Sequence, residues 1–157
     1  MIYRLPLSGY KYRTKTDSIV IHCAMTPPGM DIGAAEIRGW HVNENKWADI
    51  GYHFVIRRDG SFELGRPFYA QGAGVAGWNA DSVHICLVGG CDRQKREENN
   101  FTDAQWRTLR SLCLTISTID PGEEIVIGHR DYPGVQKYCP SFDVKPWWAG
   151  VLKEIRK

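Results

Sequence analysis

Two histidines and a cysteine in this chain have the chemistry and the placement of metal ligands. His22 ends the apolar run 18–21, and His129 follows the β-branched run 125–127 after a single glycine. Runs of this kind favour buried strands, and a strand end holds a side chain in a fixed direction. Cys139 follows His129 by ten residues, in a loop rich in proline and glycine. The loop is long enough to bring the thiol back beside the imidazole.

These residue types suit a catalytic zinc site, which usually has three protein ligands and one open position. Two imidazoles and a thiolate suit zinc but do not demand it. Lys137, two residues before Cys139, adds a cation to the same loop. Histidines also occur in cores simply to complete hydrogen bonds. The spacing alone therefore leaves open both a zinc centre and a pair of core histidines.

The first half of the chain supplies the elements that would position His22. After its strand, Asp31 is predicted to cap a helix that runs to about Glu44. Residues 53–57 and 61–64 read as two strands of a hairpin, joined by an Asp-Gly turn.

The second half supplies the elements that would position His129. A glycine-rich loop over 65–81 leads to a buried strand over 83–88. Thr102 and Gln105 form a capping box before a helix with an apolar face. The strand at Ile125 and a helix opened by Pro146 follow. The order β-α-β-β-β-α-β-α predicts an α/β fold with a single mixed central β-sheet flanked by helices.

Composition places further limits on the chain. Its 157 residues suggest one domain, predicted over residues 18–157 after a basic N-terminal arm, residues 1–17. A net charge of +2 and a pI near 8.3 argue against a nucleic-acid partner. Five cysteines without a Cys-x-x-Cys pair favour a reducing compartment. No signal peptide and no membrane span are expected, and nothing suggests more than a monomer.

Several separated motifs resemble one family. They are His22-Cys-Ala-Met-Thr26, residues 51–60 (Gly-Tyr-His-Phe-Val-Ile-Arg-Arg-Asp-Gly), residues 86–90 (Cys-Leu-Val-Gly-Gly), residues 100–105 (Asn-Phe-Thr-Asp-Ala-Gln) and residues 139–143 (Cys-Pro-Ser-Phe-Asp). In this order they resemble the zinc-dependent N-acetylmuramoyl-L-alanine amidases, most closely the amidase-type lysozymes of T-odd bacteriophages. The wider superfamily includes the peptidoglycan recognition proteins.

The resemblance implies a fold, a cofactor and a reaction. It makes His22, His129 and Cys139 the ligands of a Zn²⁺ ion, and it gives Tyr52 and Lys137 catalytic roles. The implied substrate is peptidoglycan, and the implied reaction hydrolyses the amide between the lactyl group of N-acetylmuramic acid and L-alanine. We expect Tyr52 to orient water rather than to remove its proton, because a phenol with a pKa of about 10 is a poor base.

Other residues are assigned by their positions. Trp78 and Asn79, in the glycine-rich loop, are predicted to contact substrate, since an aromatic face packs on a sugar ring and an amide can read an N-acetyl group. His53 adjoins Tyr52 in sequence and so points to the opposite face of a strand, as a structural partner. His84, in the middle of an apolar strand, is predicted to be a core histidine with its hydrogen bonds satisfied.

Two alternative functions remain. Superfamily members that lack the thiolate bind peptidoglycan without cutting it, and the presence of Cys139 argues against that class. Some phage lysozymes of this type also inhibit a phage RNA polymerase, and the basic, tyrosine-bearing arm over residues 1–17 is compatible with that partner. A lysin of this kind is expected to stay in the host bacterial cytoplasm and to reach the cell wall only after membrane permeabilisation.

Overall fold

The fold is built on one five-stranded sheet. The computed structural model describes residues 9–120 and 125–156. Its strands are β1 (Ser18–Cys23), β2 (Phe54–Ile56), β3 (Phe62–Leu64), β4 (Ser82–Leu87) and β5 (Ile125–Gly128). They lie in the order β3-β2-β4-β1-β5. Strands β2, β4, β1 and β5 are parallel, and β3 pairs antiparallel at one edge. The predicted α/β fold with a mixed sheet is confirmed.

Helices cover both faces of the sheet. They are α1 (Ala34–Gly39), α2 (Asp103–Ile119) and α3 (Val144–Ile155). Strands β1 and β4 are buried along their whole length, as expected for central parallel strands. Helices α2 and α3 share an apolar cluster with Ile19 and Ile21 of β1, whereas α1 packs against Val55 and Cys86 on the opposite face. Within the described ranges, no helix combines the length and apolar character needed to cross a bilayer.

Two helix starts differ from the prediction. Asp31 does not cap α1, because its carboxylate pairs with Arg57 at 2.9 Å. The helix begins at Ala34, whose amide donates to Glu63 of the hairpin at 2.6 Å, and a π-helical turn over Trp40–Glu44 continues it. Helix α3 starts at Val144, two residues before Pro146. In α1, a tertiary contact with Glu63 replaces the local cap predicted from Asp31. In α3, Pro146 lies within the first turn, where proline is tolerated because the amide has no partner inside the helix.

The described part of the predicted arm, residues 9–17, is packed on the domain. The Arg13 side chain is 2% exposed and donates to the carbonyl of Phe68 at 3.0 Å. The Tyr10 hydroxyl donates to Asp49 at 2.6 Å. Residues 1–8 lie outside the described residues. A role for the arm in binding a polymerase therefore stays a prediction.

A polar network, buried at Gln105 and partly buried at its other members, joins the hairpin to the start of α2. The Arg58 guanidinium donates to the carbonyl of Asn100 at 2.7 Å and to the Gln105 side-chain oxygen at 3.2 Å. Gln105 in turn donates to the carbonyls of Ile56 and Val88. The predicted capping box is formed as well, with Thr102 and Gln105 bonding each other's backbone amides. We call Arg58, Asn100, Thr102 and Gln105 the Arg58 network.

Candidate metal centre

Three side chains converge at one edge of the sheet. One potential ligand atom from each of His22, His129 and Cys139 lies within 4.8 Å of the other two. The separation between His22 Nδ1 and Cys139 Sγ is 3.8 Å. His22 is fully buried, and His129 and Cys139 are each 8% exposed. The structure thus brings together the three residues predicted as ligands, and we call them the ligand cluster.

The two imidazoles meet because their strands are parallel neighbours. Strands β1 and β5 pair in a register that sets Ile21 opposite Gly128, so His22 and His129 occupy the next positions at the same edge. Their ring centroids are 4.8 Å apart. His129 begins a 3-10 turn in which Asp131 accepts the amide hydrogen of Gly128 at 2.7 Å. The strand therefore ends where the imidazole has to turn towards its partner.

The loop from His129 to Cys139 returns to its starting point through a backbone hydrogen bond. The amide of Arg130 donates to the carbonyl of Cys139 at 2.9 Å. The Arg130 guanidinium also pairs with Glu97 and Asp143, at 2.7 and 2.6 Å. On the sheet side, the Cys23 amide donates to the Cys139 sulfur at 3.3 Å. Cys23 therefore contacts the ligand cluster through its backbone amide.

The protonation states of the two imidazoles favour binding a cation, whereas that of the thiol does not. Burial, helped by the nearby Lys137 charge, lowers the pKa of His129 to about 4. Burial also lowers the pKa of His22 well below its ordinary value. Both rings are therefore neutral at pH 7 and each offers a lone pair. The hydrogen-bonded Cys23 thiol and burial raise the pKa of Cys139. A bound cation would be needed to hold it as a thiolate.

Tyr52 and Lys137 lie near different members of the ligand cluster. The Tyr52 ring lies 4.8 Å from the His22 ring, centroid to centroid. His41 supports that segment, since its Nδ1 accepts the amide hydrogen of Gly51 at 3.0 Å. Lys137 is exposed and lines a cleft of about 410 Å³ that His129 also lines.

The two residues predicted to bind substrate have different surroundings. Trp78 is half exposed, lines the same cleft, and packs on Tyr132 at 5.1 Å between ring centroids. The Asn79 side-chain oxygen accepts the amide hydrogens of Gly74 and Val75, at 2.9 and 3.0 Å. That oxygen holds the glycine-rich loop in place. Substrate contact by either residue stays a prediction.

His84 was not predicted to contact the site. It is fully buried, as expected of a core histidine, but its Nδ1 lies 3.0 Å from Nε2 of His22. The register of β1 with β4 sets Val20 opposite His84, so His84 and His22 share one face of the sheet. Pairing between strands sixty residues apart is not visible in the sequence, which is why this contact was missed. His53 has the structural partners expected of it: it accepts the amide hydrogen of His84 and contacts the carbonyl of Ala70.

The sequence of this chain is similar to those of known proteins. The family model described as N-acetylmuramoyl-L-alanine amidase matches residues 12–142. The endolysin of Escherichia phage T7 is 45% identical over 139 residues, which cover 88% of this chain and 89% of the relative. The endolysin of Klebsiella phage KP32 is 47% identical over 136 residues, which cover 87% of each chain.

Solved structures agree with the fold. The Ph2119 endolysin from the Thermus scotoductus MAT2119 bacteriophage Ph2119 superposes with a TM-score of 0.74 at 25% identity, covering 94% of this chain and 91% of that one. Bumblebee PGRP-SA superposes with a TM-score of 0.72 at 23% identity, covering 92% and 87%, and supports the fold alone. Because the family match spans most of the chain and two relatives align over most of both lengths, this protein belongs to the N-acetylmuramoyl-L-alanine amidase family.

Proposed function

We propose that this protein is a zinc-dependent peptidoglycan hydrolase that cleaves the amide between the lactyl group of N-acetylmuramic acid and L-alanine. The observation that carries the proposal is the ligand cluster itself. Its three donor atoms lie within 4.8 Å of one another beside an open cleft. The family and the two phage endolysins support this reaction over a binding function.

The donor set fits zinc. With Zn–N distances of about 2.0–2.1 Å and a Zn–S distance of about 2.3 Å, tetrahedral geometry requires about 3.6 Å between a nitrogen and a sulfur ligand. The observed distance from His22 Nδ1 to Cys139 Sγ is 3.8 Å. Three protein ligands leave one position open, as in catalytic sites. When bound there, zinc would supply a Lewis acid, which lowers the pKa of a water ligand from about 15.7 to about 7.

Lys137 is placed to stabilise the charge that develops on the substrate. As water attacks the lactyl carbonyl, the carbonyl oxygen becomes negative before the C–N bond breaks and L-alanine leaves as an amine. Lys137 lines the cleft beside His129, and its charge contributes to the low pKa of that imidazole. A fixed cation at this point acts as an oxyanion-hole donor does.

Tyr52 is suited to donate a hydrogen bond. Burial raises the pKa of Tyr52 well above its ordinary value, so the phenol stays protonated at neutral pH. Its ring lies against His22. A protonated phenol can orient water or the scissile carbonyl but cannot act as a base, which supports orientation as its role.

Trp78 is proposed to contact the glycan. Its ring is half exposed and lines the cleft that Lys137 also lines. Packing on Tyr132 fixes the ring without covering it. We expect Trp78→Ala to weaken binding of soluble wall fragments several-fold while zinc content is unchanged, as measured by calorimetry and metal analysis. Unchanged affinity would remove Trp78 from the binding surface.

The proposed function is tested by metal analysis and product analysis of purified protein. Wild type should carry about one zinc per chain, lyse cell-wall fragments, and release new L-alanine amino groups without new reducing sugar ends. Cys139→Ala should lose both zinc and lysis. Cys113→Ala is the matched control, because it removes another buried thiol, in α2, away from the ligand cluster.

Three results would contradict the proposal. They are full lysis by wild type after exhaustive chelation, zinc retention with activity in Cys139→Ala, and release of reducing ends in place of amino groups. Binding of wall fragments by zinc-loaded wild type without any release of amino groups would identify a recognition module.

A further inference from the structure

His84 is a buried, polar residue that the proposed reaction does not use, and it touches a proposed zinc ligand. We propose that His84, together with Ser82, is a positioning residue that fixes the proton of His22 on Nε2 and so directs the Nδ1 lone pair towards the metal. The inference rests on the proposed zinc site. His22, His84, Ser82 and the carbonyl of Trp78 form a chain of hydrogen bonds in which only one arrangement of protons is possible.

The chain is fixed at its far end by a backbone carbonyl. The Ser82 hydroxyl oxygen lies 2.7 Å from the carbonyl oxygen of Trp78, which can only accept a hydrogen bond. Ser82 has one hydroxyl hydrogen, and this contact uses it. The same hydroxyl oxygen lies 2.9 Å from Nε2 of His84. Because the serine has no second hydrogen, His84 Nε2 is the donor and Ser82 Oγ the acceptor.

The proton on His84 Nε2 determines the tautomer of His22. A fully buried imidazole is neutral and carries one N–H, which in His84 is on Nε2. Its Nδ1 is therefore an acceptor. Nε2 of His22, 3.0 Å away, must then be the donor. Neutral His22 carries its proton on Nε2, and its lone pair is on Nδ1, the nitrogen 3.8 Å from the Cys139 sulfur.

The surrounding structure holds the His84 ring in place for this task. The backbone amide of His84 donates to Nδ1 of His53 at 2.9 Å. On the loop side, the ring packs against Gly72 and Gly74. A Cβ at position 74 would fall against Nδ1 of His84 and 2.8 Å from Nε2 of His22. The glycine-rich loop thus leaves room for two imidazoles in contact.

This arrangement should affect metal affinity. Partners that fix the tautomer and orientation of a metal-ligating histidine typically contribute 10–100-fold to metal affinity. Without His84, the His22 ring is free to place its proton on Nδ1 or to rotate. Either change withdraws the lone pair from the ligand cluster.

The first test needs no variant and no metal. Nitrogen-15 NMR of the histidine side chains in metal-free wild type should show His22 protonated on Nε2 and unprotonated on Nδ1. His84 should show the same tautomer, because its Nε2–H is bound to Ser82. A His22 ring protonated on Nδ1 would overturn the proposal. This readout stands even if the protein proves to have no amidase activity, so the two failures can be told apart.

The second test measures zinc affinity by chelator competition. We expect His84→Phe to weaken zinc binding about 10–100-fold. His84→Asn should recover much of that loss, because its side-chain oxygen can replace Nδ1 as the acceptor. Leu109→Ala, a core change in α2, is the control for lost stability and should leave zinc affinity unchanged. Wild-type affinity and an unchanged His22 tautomer in folded His84→Phe would refute the inference.

Ser82→Ala keeps the inference testable if His84→Phe does not fold. It removes the acceptor that fixes the His84 proton, so both tautomers of His84 become possible. We expect a mixture of tautomers at His22 in the NMR spectrum and a smaller loss of zinc affinity in the same direction. A single, wild-type His22 tautomer in Ser82→Ala would show that Ser82 does not fix the His22 proton.

Discussion

The Arg58 network and the ligand cluster are both groups of polar residues packed at the sheet, and they differ in how their atoms are paired. In the Arg58 network, donors meet acceptors: the guanidinium and the Gln105 amide bond to carbonyl oxygens. In the ligand cluster, two imidazole nitrogens and a thiol sulfur lie within 4.8 Å of one another. The contact between the Cys139 thiol and His22 Nδ1 is long, 3.8 Å, and a thiol is a weak donor, so it satisfies these atoms only weakly.

This difference separates a structural role from a functional one. A network in which donors and acceptors are paired needs nothing more to be stable. A cluster of two neutral imidazoles and a thiol, joined only by a weak sulfur contact, still has lone pairs with which to bind a cation. The cations beside the two groups follow the same division. Arg58 is bonded within its network, whereas Lys137 makes no ion pair within residues 9–120 and 125–156 and faces the cleft.

Among the changes that test this difference, the largest expected effect is on turnover, from a substitution in the cleft. Lys137→Ala should reduce amidase turnover about 10²–10³-fold, the usual cost of losing one oxyanion-hole donor. Zinc content and the free energy of unfolding should stay at their wild-type values, because the side chain is exposed. Turnover is measured as release of L-alanine amino groups from wall fragments.

Lys153→Ala is the matched control for Lys137, since it removes an exposed lysine on α3, outside the cleft. It should be as active as wild type. Full activity in Lys137→Ala would contradict the role assigned to that ammonium group and, with it, the functional contrast between Lys137 and Arg58.

The elements and ligand residues of these two groups could largely be predicted from the sequence, because they depend on local sequence patterns. Apolar runs located β1, which carries His22, and β5, which ends one residue before His129. The capping box located the start of α2, and the structure confirms it. The resemblance to the amidases named the three ligand residues that the fold then brought together.

What the sequence did not show depends on contacts between distant segments. The start of α1 was misplaced because the cap comes from Glu63, in the hairpin, and not from Asp31. The partnership of His84 with His22 depends on the register of β1 with β4. The structural use of the Asn79 side-chain oxygen depends on the path of the glycine-rich loop.

The next prediction concerns the Arg58 network. Gln105→Ala removes an acceptor from the guanidinium and two donors from buried carbonyls. We expect the free energy of unfolding to fall by about 2–3 kcal/mol, since four side-chain hydrogen bonds are lost together, although each carbonyl keeps one other donor. Zinc affinity should not change. Urea denaturation and chelator competition measure the two quantities, and a weakened zinc affinity without loss of stability would reverse the roles given to the two groups.

The smallest expected effect is on how stability depends on pH, and it should come from the buried His53. Burial lowers the pKa of His53 from an ordinary value of 6.5 to about 3. Between these values the unfolded chain binds a proton that the folded chain does not, so stability is full above pH 6.5 and is lost as pH falls. The slope is about 1.4 kcal/mol per pH unit for each such histidine. The measurement is urea unfolding of the metal-free protein at a series of pH values. His53→Gln should be less stable than wild type at pH 7. Between pH 6.5 and 5, its free energy of unfolding should fall with pH less steeply than that of wild type, by about that amount. Gln105→Ala should keep the wild-type slope, because it removes no titrating group. Equal slopes for His53→Gln and wild type would mean that the His53 ring is not held neutral by its burial.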